Sequence, residues 1–159
     1  YSQPFYRVSG TLDLPGGPVA VEGNAWLDRE WSSRPLSADQ TGWDWISLHF
    51  EGGEKMMGFH LRSRDGGTFG SGTWIAPDGT PAPFGDGAFT MTPLETAQVA
   101  GRAVPVRWRL RHPGRGLDIE IAALNPQAWM ETLFPYWEGP VRITGSHSGM
   151  GYLEMTGYE

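Results

Sequence analysis

"GWDWISLHFEGGEKMMGFHLRS", residues 42–63, decides how this chain folds. Apolar and polar side chains alternate over 42–50 and again over 55–63, with Glu51-Gly52-Gly53-Glu54 between the two runs. A period of two is the signature of a half-buried strand, and a glycine pair between two such runs is a hairpin signal. With Gly52-Gly53 as the turn, Phe50 pairs with Lys55, His49 with Met56, Trp45 with His60 and Trp43 with Arg62. One face then carries Trp43, Trp45, Ser47, His49, Met56, Gly58, His60 and Arg62. The other carries Asp44, Ile46, Leu48, Phe50, Lys55, Met57, Phe59 and Leu61. The second set reads as a packing face with charges at its ends. The first mixes large rings, histidines and a glycine, as a ligand-facing wall does. A slip of one residue would leave each strand's alternation intact and change which faces meet.

The same alternation recurs outward from this hairpin, at 5–14, 18–28, 70–76, 86–92, 104–111, 117–123, 138–145 and 150–157. Turn signals separate the runs: "PGG" at 15–17, "PDG" at 77–79, "HPGRG" at 112–116 and "SHSGMG" at 146–151. The longest loop is "SSRPLSADQT" (32–41), and "NPQAWMETLFPY" (125–136) is an irregular connection with room for one short helical turn. About ten antiparallel strands in one domain imply a sandwich or a closed barrel. If 112–116 closes a hairpin, Val106, Trp108 and Leu110 face Ile121, Ile119 and Leu117. Arg107 and Arg109 then face Glu120 and Asp118 on the other side. Such cross-strand charge pairs contribute roughly 0.2–1 kcal/mol each and suit a solvated face.

Composition narrows the function classes. Glycine (23) and proline (13) are too frequent for a helical protein, and 8 Trp, 7 Phe and 5 Tyr need burial or a ligand. The net charge of −6, with no basic run, argues against nucleic acid, whose phosphates are bound by Lys and Arg. With no cysteine, the chain has neither a disulfide framework nor a thiol nucleophile. No apolar stretch approaches the roughly eighteen residues a membrane helix needs. No signal peptide precedes Tyr1, so the chain reads as a mature product or an excised domain.

Chemistry has few candidate carriers. In "GNAWLDREWSS" (23–33), an extended strand points Asp28 and Glu30 to one side, about 7 Å apart, beside Trp26. Two acids in an apolar setting raise each other's pKa, as a general acid requires, and the spacing also fits a glycosidase pair. The plain alternative is a pair of acids on an exposed strand end. His49, His60, His112 and His147 show no metal-ligand spacing, so no metal and no cofactor is expected. "GTFGSG" (67–72) lacks the lysine of a phosphate loop, and no nucleophile elbow is present.

Taken in order, "GNAWLDREWSS", "GWDWISLHF", "GTWIAPDGTP", "YWEGPVRITG" and "GMGYLEMTGY" resemble the AttH and carotenoid 1,2-hydratase (CrtC) superfamily of lipocalin-like proteins. The likeness covers essentially the whole chain and is to the C-terminal lipocalin-like domain. It implies an all-β, lipocalin-like (calycin) antiparallel β-barrel of about ten strands spanning residues 1–159 as a single domain. That domain would be the C-terminal half of a two-domain protein, periplasmic or secreted in a bacterium. Its partners would be a hydrophobic small molecule or lipid, the N-terminal lipocalin-like domain of the same protein, and ABC-transporter components. If the domain is an enzyme, the resemblance implies a hydratase or isomerase acting on an apolar alkene.

The family commonly shows His where this chain has Arg29. A His-x-Trp arrangement expected in the hydratase branch reads Trp43-Asp44-Trp45 here, which moves the chain toward the AttH-like branch. Protonating an alkene requires an acid and an aromatic wall. Asp28 and Glu30 are the catalytic candidates. Trp26, Trp43, Trp45, His49, His60, Tyr136, Trp137 and Glu138 are the ligand-binding candidates. Glu154 and Tyr158 read as residues that close the barrel. The alternatives are a lipid-binding or scaffold barrel without chemistry and a carbohydrate-binding β-sandwich.

Overall fold

The structure, a computed structural model, describes residues 1–34 and 36–158. By internal contacts the chain divides into two compact units, Tyr1–Pro35 and Leu36–Glu159.

The first unit is a long hairpin of β1 (Ser2–Leu14) and β2 (Gly17–Asp28). Its register runs from Ser2 opposite Asp28 to Leu14 opposite Gly17, with an irregularity between Gln3 and Tyr6. Leu14 and Gly17 close on a two-residue turn, and Gly17 takes φ +110°, where a side chain would be strained.

The second unit begins with the decisive hairpin, β3 (Gln40–Phe50) and β4 (Lys55–Ser63), followed by β5 (Thr68–Ile75) and β6 (Pro81–Phe84). Then come β7 (Thr90–Val99), β8 (Arg102–His112), a 3-10 turn (Pro113–Arg115) and β9 (Leu117–Ala123). The short β10 (Trp129–Met130), β11 (Tyr136–Gly145) and β12 (Gly149–Thr156) complete it. These strands form one antiparallel sheet in the order β6-β5-β4-β3-β12-β11-β9-β8-β7, with β10 added on β11. The sheet is strongly curled into a half-barrel, so the fold is all-β and lipocalin-like.

One face of the curled sheet holds a single core. Ile46, Leu48 and Met56 meet Val104, Leu110, Ile119, Val141 and Leu153 there, all at most 1% exposed. The free edges are drawn together by side chains rather than backbone. Phe84 of β6 stands edge-on to His112 of β8 at 4.7 Å, and Phe89 packs on Phe84 at 5.3 Å and on His60 at 4.6 Å. Room for these rings comes from facing glycines, Gly58 of β4 and Gly72 of β5. A Cβ on Gly72 would strike the Phe84 ring at 2.5 Å.

Three readings of the sequence are corrected here. The β3–β4 pairing lies one residue from expectation, with His49 opposite Lys55, Trp45 opposite Phe59 and Trp43 opposite Leu61. The cause is a three-residue loop. Gly53 (φ +94°) donates to the carbonyl of Phe50, and Phe50 N–H donates to the carbonyl of Glu54, as in a type I turn with a glycine bulge. The faces therefore regroup. Asp44, Ile46, Leu48 and Phe50 share the core side with Met56, Gly58, His60 and Arg62, whereas Trp43, Trp45, Ser47 and His49 share the other with Lys55, Met57, Phe59 and Leu61.

The β8–β9 register is shifted by two, with Trp108 opposite Ile121 and Leu110 opposite Ile119. A shift of two preserves the faces, so the expected ion pairs Arg107–Glu120 and Arg109–Asp118 form diagonally. Finally, the strand read at 86–92 is instead β6 at 81–84 and β7 at 90–99. "PAPF" reads as loop by its prolines, yet an edge strand tolerates them because one side needs no donors.

Candidate functional site

At one end of the curled sheet a charged brace sits on the core side. Asp44, 2% exposed, is reached there because its strand alternates it with Ile46 and Leu48. Arg62 Nη1 donates to Asp44 Oδ1, and Nη2 donates to the carbonyl of Thr156. Tyr158 donates its hydroxyl to Asp44 Oδ1 at 2.8 Å, and the Arg62 guanidinium lies 4.2 Å from the centre of the Tyr158 ring. Burial pushes the Asp44 carboxyl up, against the opposing pull of Arg62, Tyr158 and His60. Burial, and then the Asp44 charge, hold the Tyr158 phenol well above its ordinary range. The arrangement locks Tyr158 in place.

Tyr158 is also one wall of a cleft of about 650 Å³. The cleft is built where several strands end: Thr41 of β3, the Ala100-Gly101 turn leading into Arg102 of β8, Trp129 of β10 and Thr156 of β12. Leu36, Phe134 and Pro135 supply apolar loop surface. Arg102 lies 4.6 Å from the centre of the Trp129 ring and donates from Nη1 to the carbonyl of Ala100 at 2.8 Å. Among the described residues no carboxylate lines this cleft, and no three His, Asp or Glu side chains are grouped to hold a metal ion.

The residues named from the sequence fall into three places. Trp26, Asp28 and Glu30 lie in the Tyr1–Pro35 unit, where the Trp26 indole donates to Asp28 Oδ1 at 2.7 Å and both acids are exposed. Trp43, Trp45, His49, Tyr136 and Glu138 lie on the outer face of the curled sheet. There Trp43 donates to Glu154 Oε1 at 2.8 Å and meets Tyr136 edge-on at 6.0 Å. Burial, with the nearby Lys55 charge, pushes the His49 imidazole down to about 4. Lys55 Nζ sits 2.6 Å from His49 Nδ1, as an ammonium donating to a neutral ring does.

His60 and Trp137 face the core. Trp137 is fully buried, with its indole donating to the carbonyl of Pro126 at 2.8 Å, and burial lowers the His60 pKa. The register separates His49 and His60 onto opposite faces of the sheet.

Arg102, Trp129 and Phe134 escaped the sequence reading, as did the partnership of Asp44 with Arg62. The signal for the second pair was present: an acid alternating with Ile46 and Leu48 belongs to an apolar face and needs a partner. No local signal marks Arg102, because its neighbours in the cleft come from distant segments.

Comparisons with known proteins agree with this architecture. The model of the AttH-like family matches residues 1–158. The crystal structure of a provisionally named AttH from Nitrosomonas europaea matches with a TM-score of 0.89 and 33% sequence identity, over 99% of this chain and 51% of that one. This chain therefore spans about half the length of that relative. No curated protein matches. With a family match along virtually its whole length and a close structural counterpart, the chain belongs to the AttH-like family.

Proposed function

We propose that this domain binds a long hydrophobic molecule, a polyene, terpenoid or lipid, in the cleft at the end of its curled sheet. The observation that carries this reading is the cleft itself: about 650 Å³, with Leu36, Trp129, Phe134 and Pro135 among its walls. Ligand sites are typically of this size.

Binding without chemistry is the reading favoured over proton-driven hydration or isomerisation. A hydratase acting on an alkene needs an acid against the substrate. The cleft lining holds no carboxylate among the described residues, and Asp44 stands behind Tyr158 with its oxygen already engaged. In the same reading the domain serves as a periplasmic or secreted carrier beside a second lipocalin-like domain and an ABC transporter. The likeness to half of a longer relative supports the second domain.

The test is a titration of the 159-residue chain with a linear carotenoid, a fatty acid and an oligosaccharide. It is followed by tryptophan fluorescence, with mass spectrometry of the recovered ligand. Saturable quenching by the apolar ligands, weakened by Phe134→Asp, is expected, with ligand mass unchanged. A gain of one water would establish the hydratase, and silence toward both apolar ligands would defeat the binding reading.

A further inference from the structure

The hydrogen-bond donors around the cleft are unequally committed. Three hydroxyls line it, and each spends its proton on the protein: Thr41 on the carbonyl of Arg62 at 3.3 Å, Thr156 on the carbonyl of Pro135 at 3.0 Å, and Tyr158 on Asp44 at 2.8 Å. Arg102 differs. It gives one N–H to Ala100, makes no ion pair among the described residues, and holds its guanidinium carbon 4.6 Å from the centre of the Trp129 ring. In a chain of net charge −6, the cleft therefore carries one cation, no acid among the described residues, and apolar walls.

A guanidinium has five donors in a planar fork that matches a carboxylate. A cation over an indole face is attracted by the ring, which holds the Arg102 head beside Trp129. A neutral polyol finds no uncommitted hydroxyl donor here, and a dianion finds only one positive charge. We infer that the cleft selects a long-chain carboxylate, its head held by Arg102 and its tail laid along Trp129, Phe134 and Leu36. This inference rests on the binding reading above and narrows it from hydrophobic ligands in general to monoanionic amphiphiles.

The experiment compares oleate, methyl oleate and oleyl alcohol below their aggregation thresholds, by tryptophan quenching and calorimetry on the 159-residue chain. Oleate is expected to bind at least about ten-fold more tightly than the ester, the usual worth of a charge-assisted hydrogen bond. Arg102→Met should abolish that preference, with an unchanged urea midpoint and circular dichroism spectrum certifying the variant's fold. Arg102→Lys, which keeps the charge and loses the fork, should fall between. Equal binding of acid and ester by the unmodified chain overturns the inference and leaves hydrophobic binding standing. A preference for oleate that survives Arg102→Met overturns the assignment to Arg102. Failure of all three probes to bind defeats the inference and the binding reading together.

Discussion

Asp44 shows what a single acid on an apolar face requires. Alternation carries it inside with Ile46 and Leu48, where an unpaired charge would be costly; Arg62 meets it from the partner strand of the same hairpin and Tyr158 from the far end of the chain. Removing one partner leaves the other stranded, so Asp44→Ala is expected to lower stability by about 3 kcal/mol or more. Arg62→Met combined with Asp44→Ala should cost less than the sum of the single changes, measured by urea unfolding.

His49 makes a second prediction at this scale. Its folded pKa is about 4 against 6.5 when free, so the unfolded chain binds its proton first on acidification. Its stabilising contribution is complete above pH 6.5 and is lost as the pH falls toward 4. His60 and His112, also lowered by burial, act in the same direction. Asp44, raised by burial, acts in the opposite one. His49→Gln should therefore lose less stability than the unmodified chain between pH 7 and 4.5, the other groups being common to both. Parallel pH dependences of the two urea midpoints would refute this.

At the scale of elements, turns set the registers. The β7–β8 hairpin closes on Ala100 (φ +49°) and Gly101 (φ +79°), both in the left-handed region that a type I′ turn demands. Alanine is a poor choice for the first of these positions, and that is why the turn does not announce itself in the sequence. Ala100→Asn is expected to stabilise the protein by about 0.5–1 kcal/mol, read as a rise in Tm, because asparagine tolerates the left-handed conformation better. The β3–β4 hairpin teaches the complementary lesson. "EGGE" marks a turn plainly, but either glycine can serve it, and the choice of Gly53 moves the partner strand by one residue. That single step brings His60 and Arg62 to the core side and puts His49 beside Lys55.

At the scale of the whole molecule, the curled sheet ends in two edges, β6 and β7, that share no ladder with each other. Aromatic rings do the joining: Phe84 against His112 and Phe89, with Gly72 clearing the space. Phe84→Ala should cost about 3 kcal/mol and loosen β6 first, visible as faster amide exchange over 81–84 than over β9 or β11. The cleft belongs to this scale as well. Its lining residues run from Leu36 to Tyr158, so every wall of it depends on the sheet having curled.

Period-two alternation, glycine and proline turns and an excess of rings were enough to specify an antiparallel all-β chain, sandwich or barrel, and the resemblance of its motifs to a family added the lipocalin-like curl. They do so because side-chain alternation follows from local backbone geometry. The outer ion pairs Arg107–Glu120 and Arg109–Asp118 were legible for the same reason, since a register error of two does not change a face. Which histidines share a wall, which acid is buried and which arginine guards a cleft were settled by the tertiary structure. A one-residue choice within a glycine turn, and the meeting of Asp44 with Tyr158 or of Arg102 with Trp129, arise only when segments far apart in the chain are brought together.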